Sequence, residues 1–136
     1  MSNPKEYNII IPVELRPRPD ANEQVVAELM AKHFKSDIKF IKRENTATTP
    51  DILVLRYNQR WEIKHIRGNS KRTIQNNLRT ADNQSPNIIL SLSMTNMTET
   101  QVLGRIKEFY RLGPVKIRKL LLITKTQKVL VVRRRM

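Results

Sequence analysis

There is no cysteine among the 136 residues, which excludes disulfides and any thiolate metal site. No apolar run approaches the roughly 20 residues of a membrane span, and Met1-Ser2-Asn3-Pro4-Lys5-Glu6 does not read as a secretion signal. The expectation is a protein of the cytoplasm. No internal repeat and no low-complexity segment stands out. Acids are also scarce: 12 Asp and Glu face 26 Lys and Arg, a net charge of +14. That imbalance favours a polyanionic partner, nucleic acid ahead of an anionic membrane or an acidic protein. The length suits one domain with a modest core.

What is present centres on Pro50 to Lys64. Residues 52–55 are all apolar, residues 61–66 alternate apolar with polar, and Tyr57-Asn58-Gln59 can turn the chain between them. The stretch reads as a β-hairpin. Side chains alternate along a strand, so Glu62 and Lys64 share one face while Trp61 and Ile63 take the other. A turn of two or four residues brings Asp51 to the face of Glu62 and Lys64; a three-residue loop without a bulge does not. Unpartnered charges on a core strand are costly. A divalent cation on Asp51 and Glu62 offsets that cost, and Lys64 beside it can stabilise a charged intermediate or position water.

Pro50-Asp51 followed by Glu62-x-Lys64 resembles the signature of the PD-(D/E)XK nuclease superfamily. The longer stretch from Thr49 through Gly68-Asn69-Ser70, Thr73-Ile74, Gln84 and Asn87-Ile88-Ile89-Leu90 is similar to nuclease toxin domains at the C-termini of contact-dependent growth inhibition proteins. The resemblance covers roughly residues 22–92. It implies an αβββαβ core, Mg2+ or Mn2+ as cofactor, Asp51 and Glu62 as metal ligands, and Lys64 and Gln84 at the catalytic site. A glutamate on the first helix sometimes joins such metal sites, which makes Glu23, and more remotely Glu28, a further candidate ligand. RNA, tRNA in particular, is slightly favoured over DNA on the resemblance, and a protective immunity or accessory protein is a possible partner.

Elsewhere the pattern supplies the elements. Residues 7–11 suit a short strand or an ordered arm, and Pro12, Pro17 and Pro19 interrupt regular structure after it. Arg16-Pro17-Arg18-Pro19 is an extended basic lead-in, either a linker or a nucleic-acid contact. Asp20 with Glu23 has the spacing of a capping box, opening a helix with Val26, Leu29, Met30 and Phe34 on its apolar stripe and an end near Ser36. Residues 38–42 make a strand, and 44–49 a polar loop. Trp61 is expected in the core. Asn69 or Ser70 is expected to cap a second helix, with Ile74, Leu78 and Ala81 inward, running to Gln84. Lys71 and Arg72 in its first turn oppose the helix dipole but suit a phosphate. Residues 87–92 form a buried strand, and the helical crossover before it implies a mixed sheet.

A third helix starts at an Asn96–Glu99 or a Thr98–Gln101 capping box, carries Val102, Ile106, Phe109 and Tyr110 on its apolar face, and stops at Gly113-Pro114. Strands over 115–124 and 128–133 follow. From Arg105 onward Glu108 is the one acid. Arg67, Lys71, Arg72, Lys116, Arg118, Lys119, Arg133, Arg134 and Arg135 are therefore the expected phosphate-gripping cations. The expected architecture is α/β (α+β): an N-terminal arm over 1–19, then one nuclease-like domain over 20–136, with its core at 20–92 and a basic extension at 93–136.

Three functions fit. The first is a metal-dependent endonuclease. The second is a metal-independent ribonuclease of the barnase, EndoU, colicin or RelE type, in which His65, Lys64 and Arg67 work on the 2′-hydroxyl. The third is a non-catalytic nucleic-acid-binding module.

Overall fold

The structure is a computed structural model. It describes residues 6–42, 51–70, 72–83 and 85–134, and for Arg134 the backbone alone. Two compact units divide the chain between Arg60 and Trp61.

In the first unit β1 (Ile9–Ile10) runs parallel to β2 (Ile38–Ile41), which pairs antiparallel with β3 (Asp51–Val54) in the register Ile38↔Val54 and Ile41↔Asp51. Helix α1 (Ala21–Phe34) lies on these strands. Its start is the expected capping box: Asp20 Oδ1 accepts from the Glu23 amide at 2.8 Å, and Glu23 Oε1 accepts from the Asp20 amide at 2.9 Å. The buried stripe is Val26, Ala27, Met30 and Ala31; Leu29 and Phe34, expected inside, are only half-buried. Ala27 and Ala31 take part of the buried face instead. The arm before α1 is folded, not a linker. Leu15 is buried, Arg16 donates to the carbonyls of Val13 and Leu15, and Arg18 donates to Pro12 and Val13. Both guanidinium groups thus satisfy carbonyls that the prolines deny to regular structure.

The turn after β3 differs from the expected Tyr57–Gln59. Leu55–Tyr57 form a single 3-10 turn and Asn58 takes a left-handed conformation, φ 50. Asparagine tolerates that region because its short side chain bonds locally. The connector is therefore Leu55–Asn58, and β4 (Gln59–His65) begins at Gln59.

In the second unit β4, β5 (Asn87–Ser91) and β6 (Lys119–Ile123) are successive parallel neighbours, and β7 (Val129–Arg134) closes the edge antiparallel to β6, with a register shift between Leu120 and Leu121. Helices α2 (Thr73–Asp82) and α3 (Glu99–Arg111) are the two crossovers and lie side by side. The sheet is mixed, as expected, and the element order contains the expected α, three strands, α, strand. Ile74, Leu78 and Ala81 of α2, Val102 and Ile106 of α3, and Ile88, Leu90, Leu120 and Leu122 of the sheet form one buried cluster. Met97, Val102, Ile106, Ile117, Leu120 and Leu122, all after residue 92, thus belong to this unit's core. Phe109 and Tyr110 border the cluster half-buried.

Two expectations fail here. Neither Asn69 nor Ser70 caps α2: the cap position is Arg72, in right-handed helical conformation, with no side-chain cap bond. Ser70 Oγ instead shares a hydrogen bond with Thr73 Oγ1 at 3.0 Å. The strand expected from residue 115 starts only at Lys119. Asp82 Oδ1 accepts from the amides of Lys116 at 2.6 Å and Ile117 at 3.0 Å, and the Pro86 carbonyl takes those of Arg118 and Lys119. The donors of residues 116–118 are thereby drawn away from a ladder. Among the described residues no helix is long and apolar enough to cross a membrane.

Candidate functional site

Strand β4 holds the most unusual residues. Trp61, Glu62 and Ile63 are all buried, with Glu62 only 1% exposed. The parallel register sets Glu62 beside Ile88 and Lys64 beside Leu90. Both apolar neighbours belong to the cluster under α2 and α3, so Glu62 and Lys64 point to the helix-covered face of the sheet. Trp61 and Ile63 point away from it, and the expected burial of Trp61 holds. Lys64 Nζ stands 3.6 Å from Glu62 Oε1. A carboxylate removed from water this completely needs compensating charge, and the ammonium two residues along the same strand supplies it. His65 is half-buried.

Asp51 begins β3 in the first unit, 5% exposed. Its Oδ2 accepts from Arg60 Nε at 2.8 Å, and Arg60 also reaches the Lys42 carbonyl. The sequence gives no hint of this ion pair, because nine positions separate its partners. It ties the Asp51 carboxylate to one orientation. Glu23 is buried, but its Oε1 closes the α1 capping box, the alternative to a ligand role. Glu28 is exposed on α1, a poor position for a buried metal site. Among the described residues no group of three His, Cys, Asp or Glu side chains gathers closely enough to hold a metal. Gln84 and Lys71 lie outside the described residues.

The expected phosphate-gripping cations divide in two. Arg67 and Arg72 are exposed near the start of α2, and Lys116 and Arg118 are exposed in the segment pinned by Asp82 and Pro86. Lys119 is half-buried in β6. Arg133 is half-buried as well, its guanidinium 4.0 Å from the centre of the Tyr110 ring, so it packs as well as carries charge. Burial raises the Tyr110 hydroxyl pKa to about 12 against the opposing pull of Arg133, and that hydroxyl donates to the Ile117 carbonyl. The Arg134 side chain and Arg135 lie outside the description.

A profile of the contact-dependent growth inhibition CdiA C-terminal domain matches residues 48–129, more than half of the chain. The chain belongs to this family. The fold of this chain is similar to that of a chain in a solved structure, the CdiA-CT/CdiI toxin and immunity complex from Burkholderia pseudomallei. At a TM-score of 0.61, 93% of this chain covers 98% of that one, with 13% identity, so the likeness is one of fold. No functionally curated protein matches the sequence.

Proposed function

We propose that this CdiA C-terminal domain is a metal-dependent endonuclease that cleaves phosphodiester bonds in nucleic acid, RNA and especially tRNA ahead of DNA. The observation that carries the reading is the Glu62–Lys64 pair: a fully buried carboxylate with an ammonium 3.6 Å away on the same face of a sheet strand. That is costly for folding and useful for chemistry. Toxin domains of this family commonly act as nucleases, and the net charge of +14 suits a polyanion. The solved relative was captured with its immunity protein, and a protective partner is proposed for this chain too. Its substrate would be met in the cytoplasm.

Asp51 and Glu62 are the proposed ligands of Mg2+ or Mn2+. Two carboxylates suit these hard ions, which keep waters and take substrate phosphate oxygens as further ligands. When bound, such an ion supplies polarisation of the scissile phosphate and a more acidic water. Arg60 fixes the Asp51 carboxylate. Lys64, with three donors and no acceptor, orients the attacking water or stabilises charge on the phosphorane. Gln84 is proposed to assist at the site.

A cleavage assay against tRNA, single-stranded DNA and duplex DNA, with Mn2+ and with EDTA, tests the reading. Lys64→Met should lower cleavage by about 10²–10³-fold and leave intact the rise in melting temperature caused by Mn2+. Glu62→Gln should abolish both. Cleavage that survives EDTA moves the chemistry to a metal-independent site around His65 and Arg67. Salt-sensitive binding with no cleavage of any substrate leaves a non-catalytic binding module.

A further inference from the structure

We propose that the groove between α2 and α3 is the seat of the nucleic-acid backbone, with Arg72, Arg79 and Arg105 as its phosphate contacts and Gly104 as the point of closest approach. The inference rests on the reading of the chain as a nucleic-acid enzyme and names the surface by which it holds its substrate.

Two open cavities, of 440 and 380 Å3, share Arg105 and Glu108 and so adjoin along α2 and α3, and we treat them as one groove. One end lies at Asn69 and Ser70, just after β4, and at Met97, in the segment between β5 and α3. This is the carboxyl edge of the parallel strands, where open α/β sheets take their ligands. From there the groove passes between the helices. Arg72, in helical conformation at the cap position of α2, and Arg79 within it stand seven residues apart, hence on one face and about 10 Å apart along the axis. Gln75 and Asn76 lie between them on the lining. Arginine forks interleaved with side-chain amides are the groups that hold phosphates and sugars without reading bases. Among the described residues Glu108 is the one acid on the lining, and arginines flank it: Arg105 at 3.9 Å and Arg111 at 3.8 Å. The groove is thus net positive.

A second feature points to an occupant. Gly104 lies in the interior of α3 and lines the groove. Its φ is not positive, and a Cβ there would meet nothing within 4 Å. Neither backbone conformation nor packing requires glycine, although glycine is among the poorest helix formers. Gly68 makes the contrast: a Cβ there would come within 2.6 Å of Thr73 Oγ1. What a bare α-carbon at position 104 provides is room for something outside the fold to lie against the helix. The lining carries three arginines against one glutamate, and the chain as a whole carries a net charge of +14, so the occupant proposed is a sugar–phosphate chain, whose negative charge repeats at every nucleotide.

Fluorescence anisotropy with a labelled single-stranded RNA and a labelled tRNA, in EDTA at two salt concentrations, tests this. Arg79→Glu and Gly104→Gln should each weaken binding at least about 10-fold, and Arg79→Glu should flatten the salt slope. Lys125→Glu, the same charge change at an exposed turn outside the groove, should weaken it less than about 3-fold. Gly104→Ala should raise the melting temperature by about 4 °C, showing that α3 tolerates substitution there. Wild-type affinity in Gly104→Gln, or equal losses from Lys125→Glu and Arg79→Glu, would overturn the groove while the nuclease reading stands on its own cleavage assay. A wild-type protein that binds neither RNA at low salt would also overturn the groove, and the cleavage assay, which includes DNA, would still decide the nuclease reading. Groove variants that keep RNA affinity but lose affinity for a co-purified acidic protein would assign the surface to a protein partner and overturn the proposal.

Discussion

Helices α2 and α3 cross over between neighbouring strands of the same unit and begin in opposite ways. Helix α3 begins as stability dictates. Thr98 is extended, its hydroxyl accepts from the Gln101 amide, Gln101 returns the bond to the Thr98 amide, and Glu99 puts a negative charge in the first turn. Helix α2 has none of this. Arg72 occupies the cap position in helical conformation, no side chain caps the first turn, and no acid lies in it. Positive charge sits where the helix dipole is already positive. The two helices bury comparable apolar stripes into one cluster, so packing does not explain the difference. The start of α2 forgoes local stabilisation beside the groove, and functional surfaces commonly carry such a cost. The other end of α2 is firmly built, with Asp82 accepting two amides from the segment that leads into β6.

The largest effect that can break this contrast lies at that firm end. Asp82→Ala leaves the amides of Lys116 and Ile117 without their carboxylate partner, and Ile117 is buried. Bonds to a charged acceptor are worth more than neutral ones, so the loss should be about 2–3 kcal/mol, read from the urea midpoint. Asp82→Asn keeps one acceptor oxygen and should recover much of it. A loss below about 0.5 kcal/mol would mean that the two ends of α2 do not differ as described.

A smaller effect compares the two helix starts directly. Thr98→Ala removes a cap and should cost about 1 kcal/mol. Ser70→Ala removes only an exposed hydroxyl-to-hydroxyl contact and should stay within about 0.5 kcal/mol. Equal losses would show Ser70 to be a working cap and bring the beginning of α2 back into line with that of α3.

What was legible in the sequence follows from how far apart the partners are. The capping boxes of α1 and α3 need only residues three apart; that of α1 is present where its spacing places it, and of the two that α3 offered the structure takes Thr98–Gln101. The stripe Ile74, Leu78, Ala81 and the shared face of Glu62 and Lys64 rest on helix and strand periodicity, and both hold. Partnerships across the fold were not legible. Arg60 reaching Asp51, and Asp82 reaching residues 34 and 35 positions away, depend on the tertiary arrangement, and Asp82 is why β6 starts four residues later than its apolar pattern suggests. At Ser70 the residue type suited a cap but the backbone at Arg72 was already helical, which no propensity reveals. The acids and cations of the proposed chemistry were read from a motif. The groove of Arg79, Gly104 and Arg105 was not, since only the packing of α2 beside α3 brings those residues to one surface.

The smallest effect has the opposite sign. Arg72→Glu replaces an exposed cation at the start of α2 with an acid. Nothing in the core changes, and the backbone at this position already has helical φ and ψ, so the added side chain acts through charge and not through a cap bond. A negative charge at a helix N-terminus stabilises by about 0.3–1 kcal/mol at low ionic strength. The variant should therefore melt slightly above wild type in dilute buffer. The difference should vanish near 1 M salt, where the Debye length falls to about 3 Å. RNA affinity at low salt should move the other way, because a phosphate contact becomes a repulsion. A gain in stability coupled to a loss in binding is what a helix start shaped for a polyanion requires. A variant that lost stability and kept its RNA affinity would show that Arg72 serves the fold, and the start of α2 would then not be shaped for a polyanion.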